Sequence, residues 1–152
     1  MRSLPGLLLL TSLLTFVLTA SYTNTVSGSQ TASAESGTIA FNLNATGDLP
    51  GMLNVKLNHE GGNVTGGSWT LTVLPANADA ASSESGRITG TFSGGTITLD
   101  ANGIATAAGS IQLSVQSGTG QFESVTSGSG SLSLSADAEN STKLGGPLTL
   151  SF

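Results

Sequence analysis

The feature that most constrains this chain is a period of two that runs from Gly37 to its last residue. Apolar side chains fall at alternate positions in Ile39, Phe41 and Leu43, in Leu53, Val55 and Leu57, and in Trp69, Leu71 and Val73. The pattern resumes at Ile88, Gly90 and Phe92, at Ile97 and Leu99, and at Ile111, Leu113 and Val115. It closes with Leu132 and Leu134, then Leu148, Leu150 and Phe152. Successive side chains of a strand point to opposite faces, so each run reads as a strand with one dry and one wet face, and the runs amount to about eight strands. Thr, Ser and Asn fill most of the intervening positions. No segment carries a helical period, and the Ser-rich stretch after Pro75 reads as a surface loop.

Short Gly- and Asp-rich breaks separate the runs: Thr46-Gly47-Asp48-Leu49-Pro50-Gly51, His59-Glu60-Gly61-Gly62-Asn63, Ser93-Gly94-Gly95 and Asp100-Ala101-Asn102-Gly103. Such breaks suit tight reversals and therefore antiparallel neighbours, because a parallel crossover takes a dozen or more residues. The chain is all-β with no amphipathic helix to cover an apolar sheet face. Two architectures remain, an antiparallel eight-stranded up-and-down barrel and, as the alternative, a two-sheet β-sandwich. An eight-stranded barrel is just wide enough for side chains to fill, and the inward Leu, Ile, Phe and Trp residues suffice to fill it.

The remainder divides into two segments. Residues 1–20 place Arg2 before an apolar stretch from Leu7 to Leu18, followed by small residues at Thr19, Ala20 and Ser21. That is the layout of a secretory signal peptide, and the stretch is short for a membrane helix, which needs about 20 apolar residues. Residues 21–36 are rich in Ser, Thr and Ala without apolar periodicity and read as a flexible tether, which puts the folded domain at residues 37–152. The expected location is periplasmic or secreted, with no stable membrane insertion unless the signal is retained. The chain has no Cys, so neither disulfides nor a lipidated cysteine are available, and packing and sheet closure must hold the domain together.

Nine acidic residues against four Lys and Arg, a net charge of -5, leave no basic footprint for nucleic acid. No Gly-x-Ser-x-Gly elbow, Walker loop or His-Glu-x-x-His occurs, so no catalytic residue and no cofactor is assigned. His59 beside Glu60 reads as an exposed turn residue. Asp100-Ala101-Asn102-Gly103 imitates the start of a calcium loop without its closing Glu, and a hairpin turn explains it equally well. Asn44-Ala45-Thr46, Asn63-Val64-Thr65 and Asn140-Ser141-Thr142 match the N-glycosylation pattern, which matters only in a eukaryotic source. In an up-and-down barrel alternate connections share an end. On the strand count above, Asp48, Asp79, Glu84, Asp100, Asp137 and Glu139 would gather at one rim, with His59, Glu60, Glu123 and both chain ends at the other. That acidic rim is a candidate weak divalent-cation or partner site, set against the ordinary preference of Asp for turns.

Gly118-Thr119-Gly120-Gln121-Phe122, followed by Gly128 and Gly130, resembles a turn found in exported bacterial β-domains of uncharacterised function and in the allene oxide cyclase and dirigent barrels. The resemblance implies an eight-stranded antiparallel barrel with Phe122 plugging one end, and it brings no active-site residues. Three functional expectations follow. The first is an exported, non-enzymatic binding or structural module. The second is an enzyme or carrier with a pocket lined by Phe41, Trp69 and Phe92. The third is a small outer-membrane barrel, suggested by the final Leu148-Thr149-Leu150-Ser151-Phe152 strand but opposed by the scarcity of Trp and Tyr, since such barrels carry aromatic girdles.

Overall fold

A computed structural model describes residues 20–32, 37–74, 85–101, 104–140 and 143–152. Eight strands follow one another: β1 (Ser21–Ala32), β2 (Thr38–Gly47), β3 (Gly51–Glu60), β4 (Asn63–Val73), β5 (Gly86–Leu99), β6 (Ala105–Gly120), β7 (Gly128–Ala136) and β8 (Lys143–Ser151). Each pairs antiparallel with its sequence neighbour, and β1 pairs with β8, so the sheet closes into an up-and-down barrel rather than a sandwich. Closure leaves no edge strand for another chain to extend.

Alternation sets the layering. On β3, Leu53, Val55 and Leu57 are buried while Asn54, Lys56 and Asn58 are exposed. The register carries these positions around the wall in rows, Leu43 opposite Leu53, Leu53 opposite Leu71, and Leu71 opposite Ile88. A second row runs Phe41, Val55, Trp69 and Gly90, and here the largest side chain meets the smallest. A methyl group added at Gly90 would collide with the Ser114 backbone carbonyl of β6 and come within 2.6 Å of the Trp69 ring. Gly90 therefore makes room for the indole, whose Nε1 donates to the Thr91 carbonyl at 3.2 Å. Phe41, Trp69 and Phe92 all belong to one continuous buried core.

Three expectations change. First, residues 21–32 form strand β1 rather than a tether, and this strand closes the barrel by pairing with both β2 and β8. Its inward positions are Tyr22, Asn24, Val26, Gly28 and Gln30, with a single aliphatic residue among them, so it carries no apolar alternation. Second, Ser93-Gly94-Gly95 is no hairpin. β5 runs straight through it, with register irregularities against β6 between Phe92 and Gly94 and between Gly94 and Thr96. Bulges of this kind bend a strand without reversing it. The strand count of eight survives because one strand was overlooked and another was divided.

The third change follows from the second. With β5 uninterrupted, every later connection moves to the opposite end of the barrel. Asp48, in the β2–β3 connection, and Glu123, in the β6–β7 connection, share an end with Ala20 and Phe152. Asp100, Asp137 and Glu139 lie at the other end with His59 and Glu60. Asp79 and Glu84 lie outside the described residues.

Candidate functional site

The acidic residues were the sequence's main candidates, and their geometry is that of turn formers. Asp48 accepts the Thr23 backbone N–H on Oδ2 at 2.9 Å and donates its own N–H to the Thr23 carbonyl at 3.2 Å. Asp100 accepts the Ile104 N–H at 2.9 Å and donates back to the Ile104 carbonyl at 2.8 Å. Asp137 accepts the Glu139 N–H at 2.8 Å while its own N–H reaches the Lys143 carbonyl at 2.9 Å. Asp100 and Asp137 supply the acceptor that their own reversing backbone needs, which is why Asp favours such sites, whereas Asp48 reaches across to strand β1. Among the described residues no three His, Cys, Asp or Glu side chains come together as a metal would require. The described residues of the expected rim thus lie at two ends, Asp48 at one and Asp100, Asp137 and Glu139 at the other, and the three aspartates bind different backbone segments.

His59 lies on β3, half-buried and on the inward parity of that strand, rather than in an exposed turn. Its Nδ1 is buried without a hydrogen-bond partner. A register shift against β4 between Asn58 and His59 sets this local geometry.

Two polar side chains that sequence reading passed over do most of the organising. Asn24, buried at the start of β1, donates to the Leu49 carbonyl at 2.7 Å and accepts the Leu49 N–H at 2.9 Å. Gln30, near the other end of the same strand, donates to the Ala105 carbonyl at 2.7 Å and accepts the Ala105 N–H at 2.9 Å. Each amide presents one donor and one acceptor in a plane and so satisfies both backbone groups of one residue. A signal for β1 existed in the hydroxyls: Ser21, Thr23, Thr25, Ser27 and Ser29 occupy every second position and are all exposed.

The end of the barrel that carries Ala20 and Phe152 holds a cluster of rings. Tyr22 stacks on Phe152 with centroids 4.7 Å apart, and Phe152 meets Phe122 edge to face at 6.0 Å. Phe122 is buried, and the turn below it is tightly bound: Gly118 donates to the Val125 carbonyl at 3.1 Å and Val125 to the Phe122 carbonyl at 2.9 Å. Gly120 has φ +64°, and a methyl group at Gly86 would lie 2.6 Å from the Phe122 ring. The Gly-Thr-Gly-x-Phe turn thus seats Phe122 as the expected plug. Beside it lies a cleft lined by Tyr22, Phe122 and Phe152 together with Ala20, Gln121 and residues 124–127 of the following turn. No protein-family model, curated protein or solved structure matches the chain.

Proposed function

We propose that this protein is an exported, non-enzymatic β-barrel module that acts through its surface, as a binding or structural element of a bacterial envelope or of the extracellular space. The observation that carries the reading is the use of the interior. Phe41, Trp69 and Phe92, the residues that would line a ligand pocket, are packed into the continuous core instead. The buried Asn24 directs its amide to the backbone of Leu49, which leaves it no role in gripping a guest. An enzyme or carrier of the barrel-pocket class needs polar groups converging on an internal space.

The orientation of the wall argues against the outer-membrane reading. A membrane barrel faces lipid with apolar residues and keeps its polar residues inside. Here Leu53, Val55 and Leu57 point inward, while β7 turns Ser129, Ser131, Ser133 and Ser135 outward. The likeness of the Phe122 turn to exported bacterial β-domains and to allene oxide cyclase and dirigent barrels supports the reading at the level of fold, and no activity is carried over from it.

Trp69 is the chain's only Trp, so its fluorescence reports the interior alone. Titration with a long-chain fatty acid and with an anilinonaphthalene dye is expected to leave its emission unchanged, and a saturable change would revive the pocket. Fractionation of cells expressing the full-length gene tests export. Recovery from the periplasm or the medium is expected, whereas retention in the cytoplasm or in the membranes rejects this part of the proposal.

A further inference from the structure

The cleft at the chain-end rim differs from the rest of the surface. Three of the chain's rings, Tyr22, Phe122 and Phe152, converge there, and Tyr22 and Phe152 are only partly buried. Elsewhere the large rings Phe41, Trp69 and Phe92 are fully withdrawn into the core. The turn contributes Ser124, Thr126 and Ser127 to the lining, and among the described residues no charged side chain takes part. These three hydroxyl-bearing residues are exposed, whereas Phe122 and the hydrogen bonds of the turn hold the backbone that carries them.

We propose that this cleft binds a neutral saccharide. The argument rests on matching chemistry. A pyranose ring has an apolar face of C–H groups that packs on an aromatic face, and a rim of hydroxyls that both donate and accept. Ser and Thr hydroxyls likewise donate and accept, so they pair with sugar hydroxyls in either sense. Aromatic rings offer a large contact area while losing little side-chain freedom on binding. Among the described lining residues no charged side chain is present to pair with an ionic ligand, which favours a neutral one. The placement also suits a surface module: the cleft sits at the end of the barrel, outside the packed interior, and needs no opening of the wall. This proposal rests on the surface-binding reading above and names its ligand class.

The chain has one Tyr and one Trp, which makes the test specific. Protein purified from cells expressing the full-length gene, labelled with 3-fluorotyrosine and 5-fluorotryptophan, gives one fluorine signal from Tyr22 and one from Trp69. The probes are maltohexaose, cellohexaose, xylohexaose and N-acetylchitohexaose. We expect at least one of them to move the Tyr22 signal saturably and to leave Trp69 in place. Ser124→Arg and Thr126→Arg fill the cleft from its exposed wall without touching the rings, and each is expected to weaken binding at least tenfold with an unchanged melting temperature. Tyr22→Phe keeps the stack but loses the fluorotyrosine probe, so its binding is followed by titration calorimetry; retention is expected, and loss of binding overturns the stacking role.

No saturable shift with any of the four sugars overturns the proposal while leaving the non-enzymatic barrel intact. Binding that survives both arginine substitutions places the sugar elsewhere and overturns it equally. A shift of Trp69 together with Tyr22 overturns both this proposal and the reading on which it rests.

Discussion

Gln30 on β1 and Ala105 at the start of β6 exchange two hydrogen bonds, 2.7 Å from the amide nitrogen and 2.9 Å to the amide oxygen, although their strands are not neighbours in the sheet. The side chain reaches across the end of the barrel that carries Asp100 and Asp137. Asn24 repeats the arrangement with Leu49 at the opposite end of the same strand. β1 therefore closes the wall with its backbone and secures each end with one amide.

Substitution of Gln30 by Ala or Leu removes the partner that this side chain gives to both backbone groups of Ala105, a fully buried residue. The expected loss is about 2–4 kcal/mol, taking 1–3 kcal/mol for each unsatisfied buried group and some relief by water. Asn24→Ala is expected to behave alike at the other end. Asn24→Asp tests the donor separately, because the carboxylate still accepts from Leu49 N–H but can no longer donate to its carbonyl. Urea unfolding measures all three, and a change below about 0.5 kcal/mol in Gln30→Ala, half a typical net hydrogen bond, rejects the clasp.

Gly90→Ala adds one methyl group against both the Ser114 backbone carbonyl and the Trp69 ring. Overpacking of a filled core costs about 1–3 kcal/mol and displaces the neighbour. Destabilisation in that range is expected, together with a red shift of Trp69 emission as the indole is pushed toward water. A stable variant with unchanged emission would mean that the ring has free space beside it.

Truncation separates the two readings of residues 21–36. Were they a tether, removal of residues 1–36 would leave the domain intact. With β1 in the wall, that deletion exposes β2 and β8 as unpaired edges and removes both amide clasps. A chain starting at Ser21 is expected to melt cooperatively, whereas one starting at Gly37 is expected to aggregate or to show no cooperative transition. Circular dichroism on heating decides.

The aspartates are expected to act through geometry rather than as cation ligands. Asp48→Asn keeps an acceptor for the Thr23 N–H and should cost little, while Asp48→Ala removes it and is expected to cost about 0.5–1.5 kcal/mol. Millimolar calcium is expected to leave the melting temperature of the unsubstituted protein where it is, with or without chelator. A cation bound at a hundredfold excess over its dissociation constant would add about 2.7 kcal/mol and raise the midpoint visibly.

Seven of the strands were legible because burial on one face imposes alternation, and Leu53, Val55 and Leu57 state it directly. β1 was not, because its inward positions are held by hydrogen bonds from Asn24 and Gln30 as much as by apolar contact, and an apolar period cannot register an amide. Gly94-Gly95 misled for the opposite reason. Glycines permit both a reversal and a bulge, and only the pairing of Thr96, Ile97 and Thr98 with β6 makes it a bulge.

Residue type and near spacing alone were enough for the strand class, for the inward and outward faces of every strand but β1, and for the absence of disulfides. Tertiary structure alone decided which segment closes the barrel, which acids share an end, and that Tyr22 meets Phe152 across 130 residues of chain. Those relationships join positions distant in sequence through the register of strands, and a single misplaced turn exchanges the two ends of everything that follows it.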